Sequence, residues 1–320
     1  MKQSVIRKAS VGYAALLGVV LALFTGGCGQ QHTSAKPTIA LVMKSLANEF
    51  FLTMENGARA HQQKNQSYSL LANGIKDELD VSRQIDLVEQ MIARPVSALV
   101  IAPADSKALV AVCKRAVQAG IVVVNIDNKF DTAVLQDKQI TIPFVGPDNR
   151  KGARLAGEFL GARLKRGDKV AILEGVPNAF NGVQRKLGFD DAIAQFGLTT
   201  VSSQSAGWET AKANLIVSAL IVEQPDLQGI FCANDSMALG AVAALRAAGK
   251  SDQVKVVGFD NISAIRQLIK ERKILATVDQ HGDQLAVYGI EYALQILKTK
   301  SPPGDRETPL DLVTAETLAN

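Results

Sequence analysis

The sequence predicts an α/β protein made of two similar doubly wound lobes, each a parallel sheet with helices on both faces. Two observations carry this. From residue 36 onward, short continuous runs rich in Val and Ile alternate with amphipathic stretches, and the alternation starts afresh after residues 141–148. Strands covered on both faces need continuous apolar runs, and strand–helix alternation is the pattern of a parallel sheet. A chain of 320 residues has room for two ordinary domains, and 47% hydrophobic against 21% charged residues supports a sizeable core.

Residues 1–27 read as an export signal. Lys2, Arg7 and Lys8 form a basic start, and the apolar run 11–24 (VGYAALLGVVLALF) is 14 residues long, shorter than the roughly 20 a membrane span needs. The small residues that then run into Cys28 (FTGGC) resemble a lipoprotein signal, which implies lipidation of Cys28 and a membrane anchor. Thr25 stands where such signals carry Leu or Val, and a plain secretory cut near Cys28 or at residues 33–35 is the alternative. Residues 28–36 are polar and suit a flexible tether.

The first series predicts strands at 39–43, 68–72, 98–101 and 122–126, with helices at 49–64, 80–92 and 107–118. Val81, Ile85 and Val88 show the helical spacing within the second of these helices. Residues 141–145 open a new series. It predicts strands at 170–173, 200–203, 229–232 and 254–258 and helices at 149–164, 181–195, 209–222, 236–248 and 264–270. Residues 276–280 (ATVDQ) read as a crossing between lobes, followed by a last helix at 284–298. The expected division is 37–147 plus 281–309 for the N-terminal lobe and 148–280 plus 310–320 for the C-terminal one.

Composition excludes several functions. Without the three basic residues of the export signal, the chain has 32 basic and 31 acidic residues, and this near-neutral body gives nucleic acid no reason to bind. Cys113 and Cys232, far apart in a helical and a strand-like run, read as free buried thiols. Three histidines without ligand-like spacing give no zinc signature. There is no glycine-rich dinucleotide fingerprint after the first strand, no phosphate loop, no nucleophile elbow and no Ser–His–Asp set. The expectation is binding without chemistry: no catalytic residues, no metal, no cofactor.

The predicted strands end in polar residues. Met43 leads into Lys44 and Asn48, Ile126 into Asp127 and Asn128, Cys232 into Asn234 and Asp235, Gly258 into Asp260 and Asn261, and Val278 into Asp279 and Gln280. Open sheets bind ligands beyond the carboxyl ends of their strands. Carboxylates and amides gathered there suit a ligand made of hydroxyl groups, and aromatic rings suit the C–H face of a sugar. Each residue alone has a plainer reading. Asn48, Asn149, Asn181 and Asp235 all stand where helix caps stand, and a lone loop tryptophan such as Trp208 is as ordinary in packing as in binding. Phe50 and Phe51 are less easily absorbed. Consecutive helix residues point about 100° apart, so one narrow core stripe does not take both rings.

The segments IAPAD (101–105), DN (148–149), RKLGF (185–189), FCANDSMALG (231–240), VGFD (257–260) and ATVDQ (276–280) resemble the ribose-binding proteins of bacterial ABC sugar importers, which are type I periplasmic binding proteins. The resemblance runs in order over residues 37–314. It implies two lobes joined by a three-stranded hinge and closing on a monosaccharide or sugar alcohol, with an ABC permease as partner and the periplasm or cell surface as location, the protein being a monomer. By that match Asn48, Phe50, Phe51 and Asp127 face the ligand from the first lobe, and Trp208, Asn234, Asp260 and Gln280 from the second lobe and the crossover. One of the two phenylalanines is then expected to stack on the sugar, opposite Trp208. Asn128 and Val183 stand where ribose binders carry arginines, so two charged donors are expected to be lost, with Asn181 and Lys44 as partial replacements. Ribose itself is thereby put in question in favour of another pentose, a hexose or a polyol. A sugar sensor that presents its ligand to a chemoreceptor or sensor kinase is the alternative function. A DNA-binding regulator of the same fold is disfavoured, because an export signal stands where its helix-turn-helix would be.

Overall fold

The computed structural model describes residues 36–319; the export signal, Cys28 and all of the tether but Lys36 lie outside them. The first sheet runs in the order β2 (Ser69–Ile75), β1 (Thr38–Ser45), β3 (Ala98–Ile101), β4 (Val122–Ile126), β5 (Phe144–Pro147), β11 (Arg306–Thr308), and all its pairings are parallel. The second repeats the plan as β7 (Thr199–Ser205), β6 (Lys169–Glu174), β8 (Leu227–Cys232), β9 (Lys255–Val257), β10 (Ala276–Asp279), β12 (Asp311–Thr314), with only the last pair antiparallel. Strand β3 is buried throughout and β8 at every residue but Gln228, as strands covered on both faces require. The outer strands β2 and β7 carry Ser, Asn and Gln and are mostly half-buried or exposed.

Helices α1 (Glu49–Lys64), α2 (Val81–Ile92), α3 (Val110–Gln118) and the short α4 (Thr132–Asp137) follow β1 to β4. Helices α5 (Asn149–Gly161), α6 (Phe180–Phe196), α7 (Thr210–Glu223), α8 (Asp235–Ala247) and α9 (Ser263–Lys270) belong with the second sheet. The last helix, α10 (Gly282–Thr299), returns to the first lobe and packs on α1, β3 and β4. The chain therefore crosses between lobes between β5 and α5, between β10 and α10, and between β11 and β12.

Three local outcomes differ from the sequence reading. Residues 276–279 are a strand of the second sheet, and the crossing itself falls at Gln280 and His281. Asn48 does cap α1, accepting from Phe50 N at 3.1 Å, but Asp148, Ala179 and Asn234 hold the cap positions expected of Asn149, Asn181 and Asp235. On α2, Val81 and Ile85 are only partly buried, while Gln84 is fully buried; its amide bonds Met43 O, Ala102 O and Ala104 N at 2.7–3.1 Å. That bridge ties the end of β1 to the segment just after β3, and so holds the strand ends on which the site is built. Cys113 and Cys232 are free and buried.

Candidate functional site

Each of the five polar strand ends singled out above sends at least one residue into one cleft between the lobes: Lys44 and Asn48, Asp127, Asn234, Asp260 and Gln280. Asn128, Asp235, Asn261 and Asp279 lie outside it. Lys44, at the end of β1, is 2% exposed, and its Nζ stands 2.9 Å from Asp127 Oδ2 and 3.9 Å from Glu78 Oε2. The approach to Asp127 is close but misaligned for a hydrogen bond, so Oδ2 is buried with no hydrogen-bond partner. Coulomb attraction needs no particular angle, and the lone pairs of Oδ2 stay free for a hydroxyl donor. Lys44 Nζ also lies 5.6 Å from the ring centre of Phe51 and 6.0 Å from that of Trp208, within cation–π reach of both. Phe50 and Phe51 meet edge to face at 5.1 Å, and both line the cleft.

Glu78, on the loop after β2, receives a 3.3 Å hydrogen bond from the Asn48 amide. Burial pushes its carboxyl up to about 7; Lys44 pulls it back, and Asp127 adds to the rise.

The second lobe supplies the opposite wall. Arg185, on α6, is buried with four polar partners. It donates to Asn149 Oδ1 and Ala233 O, both at 2.8 Å, and to Gln280 Oε1 at 3.4 Å, and it stands 3.5 Å from Asp260 Oδ1. Its guanidinium carbon lies over the Phe259 ring, 3.7 Å from the ring centre. Burial lowers the Arg185 pKa, with Asp260 and Asp127 opposing, and raises that of Asp260, with Arg185 opposing. Gln280 donates to Asp260 Oδ1 at 2.7 Å, so the crossover residue touches both members of the pair. Asp235, predicted as a cap, instead accepts from Thr277 Oγ1 at 2.8 Å and Ile262 N at 3.0 Å, which fixes the turn carrying Asp260.

Backbone strain gathers here. Asp127 (φ 61°), Trp208 (φ 71°) and Asp260 (φ 126°) all have positive φ, which is uncommon outside glycine and persists where surroundings over-determine it. Trp208 is also held by contact. A Cβ on Gly175 would fall 2.0 Å from the indole, so only glycine leaves that place for the ring.

Ten of the eleven predicted ligand residues line this cavity. The exception is Asn128, whose side chain is wholly buried elsewhere, bonded to Pro103 O, Ser106 and Asn181 N. Two lining residues went unpredicted, Glu78 and Arg185. Arg185 lies four residues beyond Asn181, on the same helix face, and that spacing was the available signal. It also corrects the expected loss of both charged donors. Val183 is 43% exposed and outside the cavity, but Arg185 brings a guanidinium to Asp260. Glu78 sits among Asp77 and Asp80 in an acidic loop, where nothing in the sequence marks it out. The space among the side chains is about 10 Å³ for the centre of a water-sized sphere, about one water. A groove of about 520 Å³ opens from it at the edge formed by the loops after β2 and β7, bordered by Asn48, Glu78 and Trp208.

Residues 39–301 match the periplasmic binding protein domain. The chain belongs to the periplasmic binding protein family. It is 58% identical over 289 residues to the D-ribose/D-allose-binding protein of Pseudomonas aeruginosa, covering 89% of this chain and 91% of that one. It resembles the crystal structure of an ABC transporter solute-binding protein of Burkholderia multivorans, with 54% identity, a TM-score of 0.86, and coverage of 88% and 100%. An ABC transporter periplasmic solute-binding protein of Actinobacillus succinogenes with bound D-allose matches at 34% identity and a TM-score of 0.84, covering 89% and 100%. The two-lobed α/β fold is thus that of the sugar-binding proteins of ABC importers, a family of solute binding and transport. Membership makes the chain an exported, periplasmic protein with a permease as partner, and these relatives lend the sensor alternative no support.

Glu78 generates a pH prediction. Its folded pKa of about 7 exceeds the ordinary 4.5, so the stability contributed by its protonated form is complete below about 4.5 and is lost as pH rises to about 7. In Glu78→Gln that loss is absent. Urea unfolding is expected to show the variant gaining on the wild type as pH goes from 4.5 to 7.5 and then levelling off. A difference that does not change with pH contradicts the assignment.

Proposed function

We propose that this protein binds a monosaccharide of the ribose and allose class between its lobes and delivers it to the permease of an ABC importer. The observation that carries the reading is the composition of the cleft. Carboxylates from both lobes (Asp127 and Glu78, Asp260), amides (Asn48, Asn181, Asn234, Gln280) and aromatic faces (Phe50, Phe51, Trp208) converge beyond the strand ends. Hydroxyl groups donate to the carboxylates and exchange hydrogen bonds with the amides, while a ring face packs on the aromatics. Lys44 and Arg185 neutralise two of the carboxylates and donate where hydroxyl oxygens need donors.

The closed cavity is too small for a sugar, so ligand enters through the groove between the loops after β2 and β7 with the lobes apart. Closure follows by bending at the three crossovers, and it is favoured because the sugar contacts both walls only when they meet. The moving bodies are residues 37–147 with 281–309 and residues 148–280 with 310–320. The protein acts as a monomer without catalysis or cofactor and is tethered to the membrane through lipidated Cys28. The relative that binds both D-ribose and D-allose favours a site that accepts a pentose or a hexose.

A thermal-shift screen of the mature protein tests the function. D-ribose and D-allose are expected to raise Tm, and Trp208→Ala is expected to weaken both by about ten- to a hundredfold, taking the loss of the indole face that the sugar's C–H groups pack on as about 1–3 kcal/mol, the range found for aromatic platforms under other ring ligands. No shift with any pentose, hexose or polyol overturns the reading; full affinity in Trp208→Ala with lowered stability would mark the indole as packing alone. The anchor has its own readout, since Cys28→Ser should move the protein from the membrane to the soluble fraction. An unchanged distribution refutes lipidation.

A further inference from the structure

The N-terminus of α6 lacks a cap of its own. Its cap position is Ala179, which has no side-chain oxygen, and Val183 N is the first amide to reach back within the helix, to Ala179 O. Of the amides left over, Gly182 N is met by Asn181 Oδ1 within the helix. The other two are met from across the cleft: Phe180 N donates to Ser106 Oγ at 2.9 Å, and Asn181 N to Asn128 Oδ1 at 3.1 Å. Ser106 N adds a backbone link to Asn178 O at 3.1 Å.

The two capping residues are built for the task. Ser106 Oγ donates to Asn128 Oδ1 at 3.2 Å while accepting from Phe180 N, and Asn128 Nδ2 is fixed on Pro103 O at 2.9 Å. Both side chains are buried. The same device recurs at the other side of the site. Helix α9 has Ile262 at its cap position, without a capping side chain, and Ser263 N is met by Glu49 Oε1 of the first lobe at 2.8 Å. A carboxylate there also suits the positive end of the helix dipole.

We infer that the first lobe caps α6 in trans through Ser106 and Asn128, and that this cap is a sugar-independent latch holding the lobes closed. In the parted state these amides turn to water, so the latch adds to the closed state whatever a good cap adds to a helix. Asn128 is accordingly a positioning residue. It touches no ligand, but it sets how often the binding-competent closed form is populated, and apparent affinity scales with that fraction. The inference rests on the proposed sugar-binding function for its affinity readout, whereas the opening of the sugar-free protein reads the latch directly.

The test uses Asn128→Ala and, in case that variant folds poorly, the smaller change Ser106→Ala. Small-angle X-ray scattering without sugar is expected to give a larger radius of gyration for the variants than for the wild type, and saturating D-allose to bring them to the same value. Calorimetric affinities for D-ribose and D-allose are expected to fall by one common factor of about three to ten, leaving their ratio unchanged; tenfold corresponds to about 1.4 kcal/mol. A changed ratio would make Asn128 a ligand contact and overturn the inference. Unchanged opening together with unchanged affinity would overturn it as well. If neither sugar binds the wild type, the proposed function fails, and the scattering comparison still decides the latch.

Discussion

Five ionisable side chains share one water-poor space, and each is tolerable there only because the others are present. Lys44, Glu78 and Asp127 come from the first lobe, Arg185 and Asp260 from the second, and all are buried. Removing charges from water is expensive, and pairing rarely more than offsets it, so such a cluster is poor evidence of added stability. It is better understood as a set of groups waiting for a partner. The carboxyls of Glu78 and Asp260 sit well above their ordinary range, and Asp127 keeps an oxygen without a hydrogen bond. A ligand rich in hydroxyl groups supplies what these groups lack, and only with both lobes in place.

The fold follows from that constraint. Parallel strands aim all their carboxyl ends the same way, and two such sheets hinged along β5, β10 and β11 aim them at each other. Strained backbone at Asp127, Trp208 and Asp260 turns each side chain from its strand end into the cleft. Gln84 and Asp235 then pin the turns from behind, each with every polar atom that faces inward satisfied by backbone or hydroxyl partners. The rigidity lies beneath the site, and the freedom lies in the crossovers.

The sequence made the architecture legible because strands buried on both faces must be continuous apolar runs, a pattern independent of distant residues. It made most of the site legible too, because polar residues at five strand ends repeat one theme. It was silent where the determining contact is tertiary. β11 and β12 are three and four residues long and exist only by pairing on a crossover. Glu78 becomes special through the burial imposed by Lys44, Asn48 and the second lobe, and nothing in its acidic loop foretells that. Asn128 was expected beside Asp127 in the site, yet Asp127 lines the cavity while Asn128 turns toward α6 and accepts from Asn181 N. Arg185 was within reach of helical spacing from Asn181, four residues before it on α6.

The most direct measurement is a crystal structure of the protein grown with D-allose. The account predicts the sugar ring between the Phe50–Phe51 pair and the Trp208 indole, hydroxyl oxygens at hydrogen-bonding distance from Asp127 Oδ2 and Asp260, and Lys44 drawn away from Asp127. A sugar lodged in the outer groove, with the Lys44–Asp127 and Arg185–Asp260 pairs undisturbed, would contradict it.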